Sequence, residues 1–177
     1  VPKPLLCLTP KHSESAQPVP FESAYTVAHT DRYIHIAFEH PLRTIFNGVN
    51  GEGLKWVRHF CNFHVDQNYN NPRPVEDIRR WVAELNIPWE QTVGMMTAVR
   101  MEDAAFVSET SDRYRLFVAA TAGVGNAVDI TNALKPEASL KPGTINIMVF
   151  IDGHLTDGAL VNALISATEA KVKALND

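Results

Sequence analysis

Two apolar runs, each bordered by glycine, threonine and asparagine, constrain this chain more than any other feature. Residues 115–131 read RLFVAATAGVGNAVDIT, and residues 141–175 read KPGTINIMVFIDGHLTDGALVNALISATEAKVKAL. Short apolar runs closed by turn residues predict buried strands. Each stretch therefore reads as a strand with a turn, and the second runs on into a long helix. Gly123 and Gly125 fall where the first strand should end; Gly143, Thr144 and Asn146 fall where the second should begin. Glycine lets backbone N–H groups approach a ligand closely, and Thr and Asn add short hydrogen-bonding groups. If the two clusters face each other they make a polar pocket on a rigid sheet; otherwise they are two ordinary turns.

The rest of the chain supplies the layers around this unit. Residues 25–27 and 33–38 read as strands. In the second, Ile34, Ile36 and Phe38 share the core face, and Tyr33, His35 and Ala37 share the other, where His35 is solvated or hydrogen-bonded. Leu54, Val57, Cys61 and Val65 recur at helical spacing and predict a helix over 54–65, widened by Trp56, Phe60 and Phe63. A second helix is expected over 75–86, with Asn86 as its C-terminal cap and Pro88 as a stop. Residues 92–99 read as a buried strand with Thr97 as its central polar side chain. Residues 104–107 and 114–120 read as a hairpin across the turn 109–113, and 145–151 as a further apolar strand. The closing helix, 156–176, is expected to bury Val161, Leu164, Ile165, Thr168, Val172 and Leu175. Strands alternating with helices, some joined by hairpins, predict an α/β (α+β) fold: a mixed sheet of five or more strands covered by helices. Residues 1–20, with five prolines, read as an extended arm, and 21–177 as a single domain.

Composition narrows the function classes. A net charge of −4 gives no general attraction to nucleic acid or to an anionic membrane. No apolar run approaches the roughly 20 residues of a membrane span. Cys7 and Cys61 are too few for a disulfide framework or a thiolate metal site, which fits a reducing, cytoplasmic setting, and Cys61 reads as a core thiol. A homo-oligomer is compatible with a chain of this size.

Asn47, Gly48, Val49, Asn50, Gly51, Glu52 and Gly53 form a tight segment that calls for positive φ angles. It lacks the GxxxxGK[ST] pattern and the dinucleotide fingerprint, so nucleotide binding is not expected there. On the expected helix, His59 and His64 are five residues apart, about 140° around the axis, and do not share a metal.

These blocks resemble the adenosylcobinamide amidohydrolase family. The resemblance is carried by TAGVGNA at 121–127, GTINIMVFIDGHLTDGALV at 143–161 and TEAKVKAL at 168–175. MMTAV at 95–99 and the glycine segment followed by RHFCNFHV at 58–65 add to it. It runs from about residue 42 to the end; a threonine- and glycine-rich block expected after the last helix does not occur within the chain. The resemblance implies corrinoid salvage: hydrolysis of the amide joining aminopropanol to the corrin ring of adenosylcobinamide. The alternative is a corrinoid-binding carrier or sensor without hydrolysis. No protein metal site and no cofactor is expected, cobalt arriving within the substrate.

Hydrolysis of an unactivated amide needs a nucleophile, a proton carrier and donors for the oxyanion. Thr121 or Thr144 is the expected nucleophile or water-orienting group, and the N–H groups around Gly123 and Gly125, or else the side chain of Asn126 or Asn146, form the expected oxyanion hole. His64 is the expected proton carrier and Glu169 the second choice, if buried. Asn47, Gly48, Gly51, Asn62, Thr97, Gly123, Gly125, Gly143 and Asn146 are expected to bind substrate. Trp56, Phe60, Phe63 and Tyr69 are candidates for an apolar corrin-binding surface, or else core.

Overall fold

Ile34, Ile36 and Phe38 are sealed from solvent, while Tyr33, His35 and Ala37 on the other side of the same strand are half-buried, as their alternation predicts. A computed structural model describes residues 25–51, 53–112, 114–123 and 144–176. The proline-rich arm, most of the expected turn region after Gly123, and the candidates Gly125, Asn126 and Gly143 lie outside the described residues.

The fold is α+β. Its described strands are β1 (Tyr25–His29), β2 (Tyr33–Phe46), β3 (Gly53–His64), β4 (Thr92–Thr97), β5 (Ala105–Thr110), β6 (Arg115–Ala122) and β7 (Ile145–Asp152); its helices are α1 (Pro74–Glu84) and α2 (Asp157–Asn176). The strands divide between two sheets, β1-β2-β3-β4 and β5-β6-β7. The first is mixed: β1–β2 and β2–β3 are antiparallel, and β3–β4 is parallel. Two parallel neighbours need a crossover, and α1 lies within it, as in a βαβ unit. The second sheet is wholly antiparallel, and β5–β6 is the hairpin expected from sequence.

The two sheets pack face to face through aromatic rings. Phe38 and Phe60 of the first meet Phe150 of the second at centroid distances of 5.0 and 4.9 Å, and Phe150 stacks on Phe117 at 5.6 Å. The opposite face of the first sheet receives α1, with Cys61 and Phe63 against Ile78 and Val82. Gly94 makes that close approach feasible, since a Cβ there would lie 2.6 Å from Cγ2 of Ile78. The helix stops where expected: Asn86 takes a positive φ of 55°. Its N–H reaches the Ala83 carbonyl and the Ile87 N–H the Val82 carbonyl, both at 3.0 Å, the pattern of a left-handed helix stop.

Two expectations are corrected. Residues 54–65 are not a helix but β3. The strand is buried on both faces, Phe60 and Asn62 toward the second sheet, Cys61 and Phe63 toward α1. A strand covered on both sides loses the period-two alternation that identifies strands, and its apolar positions then fall at helical spacing by coincidence. His59 and His64 consequently sit on opposite faces of a strand. The second correction concerns α2, whose expected buried stripe faces solvent: Val161 is 42%, Ile165 51%, Val172 50% and Leu175 54% exposed.

Candidate functional site

Where the aromatic layer between the sheets ends, the inward-facing positions turn polar. Along β3 the face toward the second sheet reads Phe60, Asn62, His64. On β4 it reads Val93, Met95, Thr97, in register with them. On β6 it reads Phe117, Ala119, Thr121, and Thr121 pairs with Asn146 at the start of β7. Strand periodicity thus carries five polar side chains from four strands to one end of the interface. Asn62, Thr97 and Thr121 are each only 1% exposed.

A continuous hydrogen-bond network joins Asn62, Thr121 and Asn146. Asn62 Nδ2 donates to Thr121 Oγ1 at 3.0 Å, linking the two sheets. Asn146 Nδ2 donates to Asn62 Oδ1 at 2.9 Å and to the Met96 carbonyl at 2.8 Å. The Thr144 hydroxyl donates to Asn146 Oδ1 at 3.1 Å. The Gly123 N–H donates to the Thr144 carbonyl at 2.9 Å, and a Cβ on Gly123 would lie 2.9 Å from Cγ2 of Val99. Next to this, the Thr97 hydroxyl accepts the Val99 N–H at 3.1 Å, and the Val99 carbonyl lies 3.0 Å from Nδ1 of His64. A carbonyl can only accept, so Nδ1 carries the proton and the neutral ring keeps its lone pair on Nε2.

The donor inventory separates the candidates. Both amide hydrogens of Asn146 are committed, and so is the Gly123 N–H. Neither is available to an oxyanion without breaking a bond. The Thr144 hydroxyl proton is likewise engaged. Thr121 accepts in its bond with Asn62, so among the described residues its own hydroxyl proton has no acceptor, and Asn62 spends one of its two amide hydrogens there. The network thus brings together Asn62, Thr121, Thr144, Asn146 and Gly123, with Thr97 and His64 one residue away through Val99.

Other candidates lie elsewhere. Glu169 is exposed on α2, and none of the bonds of the network reaches it. The glycine segment packs on β4 nearer its start: Asn50 exchanges backbone bonds with Gly94 at 3.2 Å and donates to the Thr92 carbonyl, also at 3.2 Å. Gly51 takes the expected positive φ, 92°, and its position lies against Val93; Gly48 is wedged between Phe46 and Met95, and Asn47 is exposed. Among the proposed aromatics, Phe60 and Phe63 are core on opposite faces of β3, and the Tyr69 phenol donates to Asp77 at 2.7 Å. Trp56 is 63% exposed, with the Arg43 guanidinium 6.0 Å from its ring centroid. Burial pushes the Cys61 thiol up to about 12, so it is an inert core group. Among the described residues no cluster of three or more His, Cys, Asp or Glu side chains is arranged to hold a metal ion. No described helix is long and apolar enough to cross a membrane.

Sequence reasoning missed the His35–His59 contact. The ring nitrogens Nε2 and Nδ1 lie 3.1 Å apart on the α1 side of the first sheet. Reading β3 as a strand would have found it, since Ala37 is the direct cross-strand partner of His59 and His35 lies two residues along the same face.

Comparison with known proteins bears on this site. The profile of the family described as adenosylcobinamide amidohydrolase matches residues 19–177. An adenosylcobinamide amidohydrolase of Methanosarcina mazei is 35% identical over 131 residues, 74% of this chain and 58% of the relative. An uncharacterized ABC transporter ATP-binding protein of Bacillus subtilis, YvrA, is 23% identical over 99% of this chain and 34% of its own length. An uncharacterized Methanocaldococcus jannaschii protein, MJ1613, is 26% identical over 71% of this chain and 57% of its own. The chain thus spans less than two thirds of the curated relatives it matches. No solved structure matches.

Proposed function

The chain belongs to the adenosylcobinamide amidohydrolase family, and on that premise we propose that it hydrolyses the aminopropanol amide of adenosylcobinamide. The products are adenosylcobyric acid and the free amino alcohol, so the reaction serves corrinoid salvage. The observation that carries this reading is the bond between Asn62 and Thr121. It ties two of the family-like blocks together in a buried polar end of the interface, and Asn146 brings in a third.

The chemistry follows from which groups are uncommitted. His64 Nε2 takes a proton from the attacking water, whose oxygen bonds to the amide carbon. The remaining amide hydrogen of Asn62 stabilises the oxygen that becomes negative. The Thr121 hydroxyl orients the water, and protonated His64 returns its proton to the departing amine as the carbon–nitrogen bond breaks. Asn146 and Thr144 act through Asn62, holding its amide in one orientation. Cobalt enters only as part of the substrate.

A second reading is a corrinoid carrier or sensor without hydrolysis. Incubating the 177-residue chain with adenosylcobinamide decides between them. Release of aminopropanol supports hydrolysis; saturable binding without release supports the carrier; a chain that shows neither release nor binding has no corrinoid role.

A further inference from the structure

Helix α2 turns its most apolar side away from the protein. Gly158, Val161, Ile165, Thr168, Val172 and Leu175 follow one another at alternating steps of three and four, the spacing of a coiled-coil seam. Every one of them is exposed. The half-buried residues of the helix are Ala159, Leu160, Ala163, Ala167 and Lys171, mostly small and mostly on the far side from the seam. Twenty residues at about 1.5 Å each give a helix of about 30 Å, room for more than two heptads. Pairing of two helices along such a seam removes apolar surface from water and is the usual reason for this spacing.

We propose that α2 pairs antiparallel with α2 of a second copy of this chain, about a twofold axis near Leu164. The flanking charges select this occupant and this direction. Asp157, Leu164 and Lys171 recur every seven residues along one flank of the seam. In an antiparallel pair that flank meets itself reversed. Asp157 then faces Lys171 of the second copy, the converse pair forms as well, and Leu164 meets Leu164. A parallel pair would set Leu164 against Glu169 and leave Asp157 and Lys171 facing Asn162 and Asn176, with no opposite-charge pair. The contact is isologous and closes at two copies. Asp157 also binds Arg43 of β2, which fixes the start of the helix on its own protein while leaving the seam outward.

The test measures molecular mass by sedimentation equilibrium across a wide concentration range, with circular dichroism to verify folding. The wild-type chain is expected to form dimers. Ile165→Asp places a charge at the centre of the seam and should raise the dissociation constant about tenfold or more without unfolding an already exposed position. Lys171→Asp alone sets two carboxylates together twice, and Asp157→Lys alone sets two ammonium groups together twice; each should shift toward monomer. Mixed in equal amounts, these two variants should recover the dimer, because both contacts are then opposite in charge. A wild-type chain that stays monomeric overturns the proposal and gives the seam to another partner, such as the further length of the longer relatives. A dimer indifferent to Ile165→Asp, or a mixture no tighter than its components, overturns it as well.

Discussion

Asn62 and Thr121 lie on different sheets, 59 residues apart in sequence, and are joined by one 3.0 Å bond between buried side chains. Removing either partner leaves a buried polar group of the other without its hydrogen bond. Such an orphaned group costs about 1–3 kcal/mol. Asn62→Ala should cost more than Thr121→Val, because Asn146 also loses its acceptor. Urea unfolding of both variants and of the double variant checks this. The double variant should lose less than the sum of the singles; strict additivity would mean that the bond contributes nothing.

Gly94 and Ile78 give a second stability test. A methyl group at position 94 would collide with the fully buried Ile78, so α1 would have to move off the sheet. Overpacking of this kind costs about 1–3 kcal/mol. Ile78→Ala removes the obstacle at the expense of a cavity. Thermal melts of Gly94→Ala, Ile78→Ala and the pair should show the second change costing less when the first is present. Equal costs in the two backgrounds would place the strain elsewhere.

The His35–His59 pair makes stability depend on acid. Burial, and then the neighbouring His59, lower His35 from 6.5 to about 4. Burial, then Arg58, lower His59 as well. Unfolded imidazoles therefore bind protons at a pH where the folded ones do not. The stabilisation is complete above about 6.5 and drains away as pH falls toward 4. Unfolding midpoints measured between these limits should fall for the wild type and fall less for His35→Gln. Parallel profiles for the two proteins would clear the pair of the effect.

What the sequence disclosed, and what it concealed, follows from how many faces of an element are covered. β2 is covered differently on its two sides, and its alternation was legible in Ile34, Ile36 and Phe38. The stop of α1 was legible in Asn86 because left-handed backbone has a strong residue preference. β3 was misread because both its faces are buried. With it went the His35–His59 contact, whereas Asn62 and His64 were singled out regardless of the type of element. The seam of α2 was visible as a periodic stripe, yet periodicity says only that a face is apolar, not what covers it. Thr121, Thr144 and Asn146 were legible as polar breaks in apolar runs. Their convergence was not, because it depends on how the two sheets stack.

His64 offers the sharpest test of the proposed chemistry. Its Nδ1 proton is held by the Val99 carbonyl, so the lone pair that takes a proton is on Nε2. His64→Gln keeps a donor for that carbonyl but has no proton acceptor of comparable basicity, and should lower kcat about 10²–10⁴-fold. KM and the affinity for adenosylcobinamide should change little, since the loss falls on the transition state and not on binding. Thr144→Val supplies the contrast. It removes only a brace on Asn146, so its smaller loss should leave the pH profile of kcat unmoved, while His64→Gln should erase the limb that reports the base. Equal pH profiles for wild type and His64→Gln would remove His64 from the proton transfer and return the role to a group outside this network.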